Sequence, residues 1–146
     1  MPMRNIIIIA IVAVLAGGAI WYNQHRNIST QMMARHMGNV NSIVTDLNLP
    51  ELTTIEKLGK RRFDENCAVC HGENASGREG LAPPLVHIIY EPNHHGDASF
   101  RLAVQNGVRA HHWPFGNMPP VEGVSDADVE NIISYVRKLQ RANGIF

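Results

Sequence analysis

The two cysteines of this chain lie in the pentapeptide Cys67-Ala68-Val69-Cys70-His71. Two thiols separated by two residues and followed directly by histidine form the pattern to which a c-type haem is attached. Each thiol can form a thioether with one haem vinyl group, and the histidine then becomes the natural proximal ligand of the iron. The motif therefore predicts one covalently bound haem c, held by Cys67 and Cys70, with His71 as an iron ligand.

Two other kinds of site use closely spaced cysteines. A structural zinc site needs four protein ligands, usually from two spaced pairs, and the chain has no second cysteine pair. A thioredoxin-like redox pair does not require the adjacent histidine. Both interpretations account for less of the motif than a haem does.

A second motif, Asn117-Met118-Pro119-Pro120, follows further along the chain. Thioether sulfur is a soft ligand that suits haem iron opposite an imidazole, and it favours the reduced state. Pro114 and the Pro119-Pro120 pair stiffen the loop, which can then hold a weak ligand in place. Met118 is therefore predicted to be the second axial ligand. The alternative is a methionine that fills a gap in the core.

With these motifs in place, residues 53–141 resemble a class I mono-haem cytochrome c. Gly59 and Phe63 are similar to the family's small and aromatic residues on the first helix, and Tyr135 to the aromatic of the last helix that meets them. The resemblance implies an all-α cytochrome c fold around one covalent haem. Further capping signals agree with helices that open at Thr53 and at Ser125 and with a third capped by Asp97.

The segment Ala82-Pro83-Pro84-Leu85 resembles the family segment whose proline carbonyl accepts a hydrogen bond from the axial histidine. Pro83 fits this role best by its spacing, and Pro84 is the alternative. Such a bond fixes the orientation of the imidazole ring and raises its basicity.

Seven further histidines leave a second ligand set open. Any of those after the haem motif could replace Met118, because imidazole is a competent axial ligand. Adjacent histidine pairs could also bind a surface metal, although scattered solvated histidines are the commoner case. The seven are His25, His36, His87, His94, His95, His111 and His112.

The first 24 residues carry an apolar run, Ile6 to Tyr22, that contains no charge and follows Arg4. Its 17 residues are at the short end of what spans a bilayer, and Trp21-Tyr22 suits the membrane interface. Residues 1–24 are therefore predicted to form a transmembrane signal anchor. Cleavage as a signal peptide near Gly17-Gly18-Ala19 is the alternative.

Residues 25–52 separate this anchor from the predicted haem domain, 53–146. Met33, Met37, Val40, Val44 and Leu47 share one stripe of a helix, so a connecting amphipathic helix ending at Pro50 is predicted. The stripe could pack on the haem domain, pair with a second copy or dock to a membrane subunit. The cluster of Met32, Met33, His36 and Met37 could instead bind Cu(I), although methionine at helical spacing is usually core.

Electron transfer is the expected function. Thirteen basic and thirteen acidic residues provide no field for nucleic acid. An iron held by His71 and Met118 has no vacant position for substrate, so the chain is expected to be an electron carrier, or a subunit of an oxidoreductase complex, and not an enzyme by itself. A haem-based gas or redox sensor whose sixth ligand dissociates is the alternative, and a mainly structural membrane subunit is a third possibility.

The resemblance also implies a location and partners. In bacteria the family's haem is attached on the periplasmic side, so a single-pass inner-membrane protein with a periplasmic haem domain is expected. Its electron donor would be a membrane quinol-oxidising complex or a periplasmic dehydrogenase. Its acceptor would be a terminal oxidase or reductase.

Overall fold

The computed structural model describes residues 17, 18, 20–22, 24 and 41–146. Within 41–146 four α-helices form, which we label α1 to α4. They are α1 Thr54–Asn66, α2 Ala68–His71, α3 Asp97–Asn106 and α4 Asp126–Ala142. Short 3-10 turns lie at Glu73–Ala75 and Ile88–Tyr90. Among the described residues extended pairing is limited to isolated bridges, so the predicted all-α class is confirmed for this part of the chain.

Helix α1 begins where its capping residues predict. The Thr53 side chain accepts a hydrogen bond from Glu56 N, and the Glu56 carboxylate accepts one from Thr53 N at 2.7 Å. This reciprocal pair satisfies two backbone donors that the first turn of a helix leaves without partners. Ser125 and Asp128 form the same arrangement at the start of α4. Helix α3 differs slightly from the prediction, since Gly96 is its cap and Asp97 is its first residue.

Helices α1 and α4 cross at Gly59. A Cβ atom placed on Gly59 would lie 1.9 Å from the backbone oxygen of Asn131, which shows that the two backbones are nearly in contact. One turn further, the rings of Phe63 and Tyr135 pack with their centroids 5.7 Å apart. The small residue and the aromatic pair therefore lie where the resemblance implied.

The core of the domain is centred on this crossing. Its buried members come from α1, from α4 and the turn after it, and from the loop between α2 and α3, so the haem motif at the end of α1 leads directly out of the core. They are Phe63, Ala75, Val86, Ile132, Tyr135, Val136, Leu139 and Ile145.

The structure of residues 41–52 differs from the predicted connecting helix. No helix forms there, so the predicted connecting helix is wrong for Val44 and Leu47. Instead this segment joins the haem domain: Val44 N donates to Ser76 O at 3.0 Å, and Leu47 packs against the core. Asn48 and Asn143 hold its end through reciprocal hydrogen bonds, Asn48 N donating to Asn143 Oδ1 at 2.8 Å. The segment follows its own domain because its backbone finds hydrogen-bond partners there, whereas a short helix without packing would be only marginally stable.

The N-terminal predictions fall largely outside the described residues. Met33, Met37, Val40 and the proposed copper cluster lie outside them. Residues 17, 18, 20–22 and 24 are helical, and the side chains of Ile20, Trp21 and Tyr22 are exposed. Within the part of the chain that the structure describes, no helix is long and apolar enough to cross a membrane.

Candidate haem site

The Cys67–His71 motif continues the path of α1 into α2. Cys67 N donates to Phe63 O at 2.8 Å, and His71 N donates to Cys67 O at 2.9 Å. Residues three apart on a helical turn lie on the same side of it, so the turn presents Cys67 and Cys70 together. The following His71 lies on the next position of the same turn. The elements therefore bring both thiols and the imidazole to one place.

The free Cys67 thiol is not an activated nucleophile. Burial, with a smaller contribution from the neighbouring Cys70, raises the pKa of Cys67 to about 11. Redox-active cysteines react as the thiolate, which electropositive and partly exposed surroundings stabilise. This environment therefore disfavours the redox pair considered from the sequence.

His71 is held as a neutral imidazole with a defined tautomer. Its Nδ1 lies 2.9 Å from Pro83 O, and because a carbonyl only accepts hydrogen bonds, Nδ1 carries the proton. Burial lowers the pKa of His71, while the bond to Pro83 acts in the opposite direction. The remaining nitrogen, Nε2, therefore keeps its lone pair for a metal. The carbonyl belongs to Pro83 and not to Pro84.

Met118 lies in a loop that two backbone hydrogen bonds close. Val108 N donates to Met118 O, and Met118 N donates to Val108 O, each at 2.9 Å. Gly107 precedes this bridge with φ +72, and a Cβ on it would lie 2.4 Å from Met118 O. The loop thus depends on a glycine at position 107. Met118 itself is half-buried.

Trp113 adds a polar group that the sequence reasoning missed. Its indole Nε1 is buried and makes no hydrogen bond of good geometry within the described residues, although it lies near the Tyr90 hydroxyl. Burial raises the pKa of Tyr90 to about 12, so that hydroxyl stays protonated. Two protonated donors near each other suit an acidic group such as a haem propionate. The two thiols and the free imidazole nitrogen of the Cys67–His71 motif are the groups that a covalent haem c requires.

Arg137 and Gln140 were also missed, because a charged and an amide residue on a helix usually face solvent. Arg137 is buried and donates from Nε to Asp97, from Nη1 to Tyr90 O and from Nη2 to His95 O. Gln140 is fully buried and donates to Leu85 O at 2.8 Å and to Tyr90 O at 3.0 Å. These two side chains of α4 therefore hold the loop that follows Pro83, through the backbone oxygens of Leu85, Tyr90 and His95. The sequence signal that could have revealed their burial is their position on the same side of α4 as its apolar residues.

The remaining histidines separate into groups. His87 accepts a hydrogen bond from Ile89 N and packs against Trp113. His94, His95, His111 and His112 gather in one cluster. His25 and His36 lie outside the described residues.

Comparison with known proteins decides the family. Residues 56–140 match the family model described as cytochrome c, which covers more than half of the chain. The chain belongs to the cytochrome c family. With Cys67 and Cys70 in the attachment motif, this cytochrome c binds one covalent haem c and is an electron-transfer protein.

This cytochrome c is also similar to a curated protein of Azospirillum brasilense named cbb3-type cytochrome c oxidase subunit CcoP. The two are 34% identical over 113 residues, which cover 70% of this chain and 35% of the relative. This cytochrome c therefore spans about a third of the length of that relative.

Proposed function

We propose that this cytochrome c is a membrane-tethered, one-electron carrier or haem subunit in a respiratory chain, with His71 and Met118 as the axial ligands of its haem. The observation that carries the proposal is the Pro83-oriented imidazole of His71 directly after the attachment cysteines. When bound, the haem supplies a one-electron ferric/ferrous couple. The chain's own residues hold the ligands, exclude water and present a surface to redox partners.

The protein fixes its proposed ligands from two sides. His71 is oriented by Pro83, whose loop is held by Gln140 through Leu85 O. Met118 is held by the backbone bridge to Val108. Ligands held in this way change little between oxidation states, which favours rapid electron exchange, and a filled sixth position gives no site for substrate.

A small apolar patch next to the attachment motif suits transient docking. Val69 and Leu81 are 66% and 46% exposed. Arg78 lies between Val69 and Leu81. Its Nη1 donates to Val69 O at 2.6 Å, and its backbone pairs with Ala82, the residue after Leu81. Redox encounters use small interfaces, and an exposed apolar centre with one charge fits them. We propose this patch as the contact for the donor and the acceptor.

The partners are proposed from the curated relative and from the earlier expectations. The relative is named as an oxidase subunit, which supports a terminal oxidase as the acceptor, with a quinol-oxidising complex or periplasmic dehydrogenase as the donor. The apolar run Ile6 to Tyr22 supports an inner-membrane tether with a periplasmic haem domain. Extraction with mild detergent, followed by identification of the complex that copurifies, tests these assignments. Release of the intact chain from membranes by high salt alone would contradict the tether.

The ligand set has its own test. Met118→His should keep a low-spin haem and lower the reduction potential, because nitrogen stabilises ferric iron more than thioether sulfur does. The ferric wild type should have a Met-to-iron charge-transfer band at the far-red end of its spectrum, and the variant should lose it. An unchanged potential and spectrum would show that Met118 is not a ligand and would favour a second histidine. Binding of carbon monoxide by the reduced wild type would favour the gas-sensor alternative.

A further inference from the structure

Four histidines from two separate loops meet on the surface of the haem domain. His94 and His95 lie in the turn before α3, and His111 and His112 lie in the loop before Met118. Three of them, His94, His95 and His112, each offer a ring nitrogen, and these three nitrogens all lie within 4.8 Å of one another. This histidine cluster has no part in the proposed electron transfer.

The closest pair already has the spacing of metal ligands. His94 Nε2 and His112 Nε2 lie 3.3 Å apart. Two nitrogens bound at 2.0–2.1 Å to a tetrahedral zinc lie about 3.3–3.4 Å from each other. The side chains of His94 and His112 are exposed, so their rings can rotate slightly. Such rotations can bring their nitrogens to the same spacing from the nitrogen of His95.

His95 has the outer hydrogen bond that metal-binding histidines usually make. Its Nδ1 lies 2.7 Å from Ile89 O and therefore carries the proton, which leaves the lone pair on Nε2. The backbone beneath it is also fixed, since His95 O accepts a hydrogen bond from the buried Arg137. The opposite loop is held by the bond from Ala110 N to Asn117 Oδ1 at 2.9 Å. Both sides of the cluster are thus built on anchored backbone.

We propose that His94, His95 and His112 bind one divalent transition-metal ion of the Zn²⁺ class. Three imidazoles select zinc, copper or nickel over magnesium and calcium, which prefer oxygen. Three protein nitrogens leave a fourth position for water. His111 lies beside His112, but it is not among the three histidines whose nitrogens lie within 4.8 Å of one another, so it is outside the ligand set.

The bound ion joins two loops that are distant in sequence. One of them, 109–117, leads directly into Met118. Metal binding should therefore stabilise the folded domain and, with it, the loop before the proposed axial ligand.

The test is calorimetric titration of the full-length haem protein with Zn²⁺, with Mg²⁺ as the control ion. His25→Gln and His36→Gln serve as the background, so that histidines outside the cluster do not contribute. In that background we expect one bound Zn²⁺ per chain and no response to Mg²⁺. His94→Gln and His112→Gln should each lower the affinity by at least about 100-fold, since loss of an outer partner alone costs 10–100-fold. His111→Gln is the matched control and should retain binding within about tenfold.

A second measurement separates ligand loss from misfolding. The exposed positions of His94 and His112 mean that their variants should keep the haem spectrum and melting temperature of the metal-free wild type. Zn²⁺ should raise the melting temperature of the background protein and leave that of His94→Gln with His112→Gln unchanged. Absence of Zn²⁺ binding, or equal binding by that double variant, would overturn the proposal and identify the close nitrogens as a hydrogen-bonded histidine pair only.

Discussion

Gly59→Ala tests whether the contact between α1 and α4 organises this domain. In an exposed helix interior the substitution stabilises a protein by up to about 1 kcal/mol, because alanine loses less backbone entropy than glycine. Here the new Cβ would lie 1.9 Å from Asn131 O and 3.0 Å from Tyr135 Cβ. Helix propensity and packing therefore predict effects of opposite sign.

The packing effect should win. The contact to Asn131 O must lengthen from 1.9 Å to at least 3.0 Å, and the atom met is backbone, which cannot rotate away. Both helices must separate, and the buried rings of Phe63 and Tyr135 must move with them. Overpacking a core typically costs about 1–3 kcal/mol, or more where backbone shifts, so we expect a net destabilisation of about 1–3 kcal/mol. For a domain of this size that lowers the melting temperature by at least about 4 °C.

The assay is guanidinium unfolding of the haem protein, followed through haem absorbance and far-UV circular dichroism. Gly96→Ala is the matched control, since a Cβ there meets its nearest atom, Pro92 O, at an ordinary 3.5 Å and φ is negative. The control should change stability by less than about 1 kcal/mol. A Gly59→Ala protein as stable as the wild type, or more stable, would refute the close helix crossing.

Two further predictions concern buried polar groups. Gln140→Leu should lower the free energy of unfolding by about 1–3 kcal/mol, because it removes the donor to Leu85 O and Tyr90 O. The control, Gln105→Leu on an exposed position of α3, should change that free energy little. Equal denaturation midpoints for the two variants would contradict this prediction. Burial would raise the pKa of Glu56, but hydrogen bonds from Thr53 and the charges of Lys138 and Arg141 outweigh it and lower that pKa below 4.5. Since the folded pKa lies below the unfolded one, Glu56 stabilises the fold above about pH 4.5 and loses this effect as pH falls through the folded value. Glu56→Gln should therefore be less stable than wild type at pH 7, and the difference should shrink as pH falls below 4.5. A difference independent of pH would count against the capping box.

Local chemistry accounts for the features that the sequence alone determined. The haem motif is contiguous, so Cys67, Cys70 and His71 could be recognised without any fold. Capping boxes are also local, because Thr53 with Glu56 and Ser125 with Asp128 satisfy backbone donors within the same turn. The helix starts at Thr54 and Asp126 follow from that.

Only the tertiary structure decided which distant groups meet. The pattern over 41–52 is compatible with a helix, but hydrogen bonds to Ser76 and Asn143, far away in sequence, hold the segment against the domain without a helix. The choice of Pro83 over Pro84 likewise needed the path of the loop. Burial of Arg137 depends on carbonyls that α4 meets only after the chain has folded around it.

The histidine cluster also depends on the tertiary structure. Two adjacent pairs, His94-His95 and His111-His112, are plain in the sequence, yet each pair alone reads as solvated side chains. The anchored turn before α3 and the loop closed by the Val108–Met118 bridge bring His94 and His112 to 3.3 Å. Sequence spacing determines the local turn, whereas contacts between loops depend on packing that only the complete fold supplies.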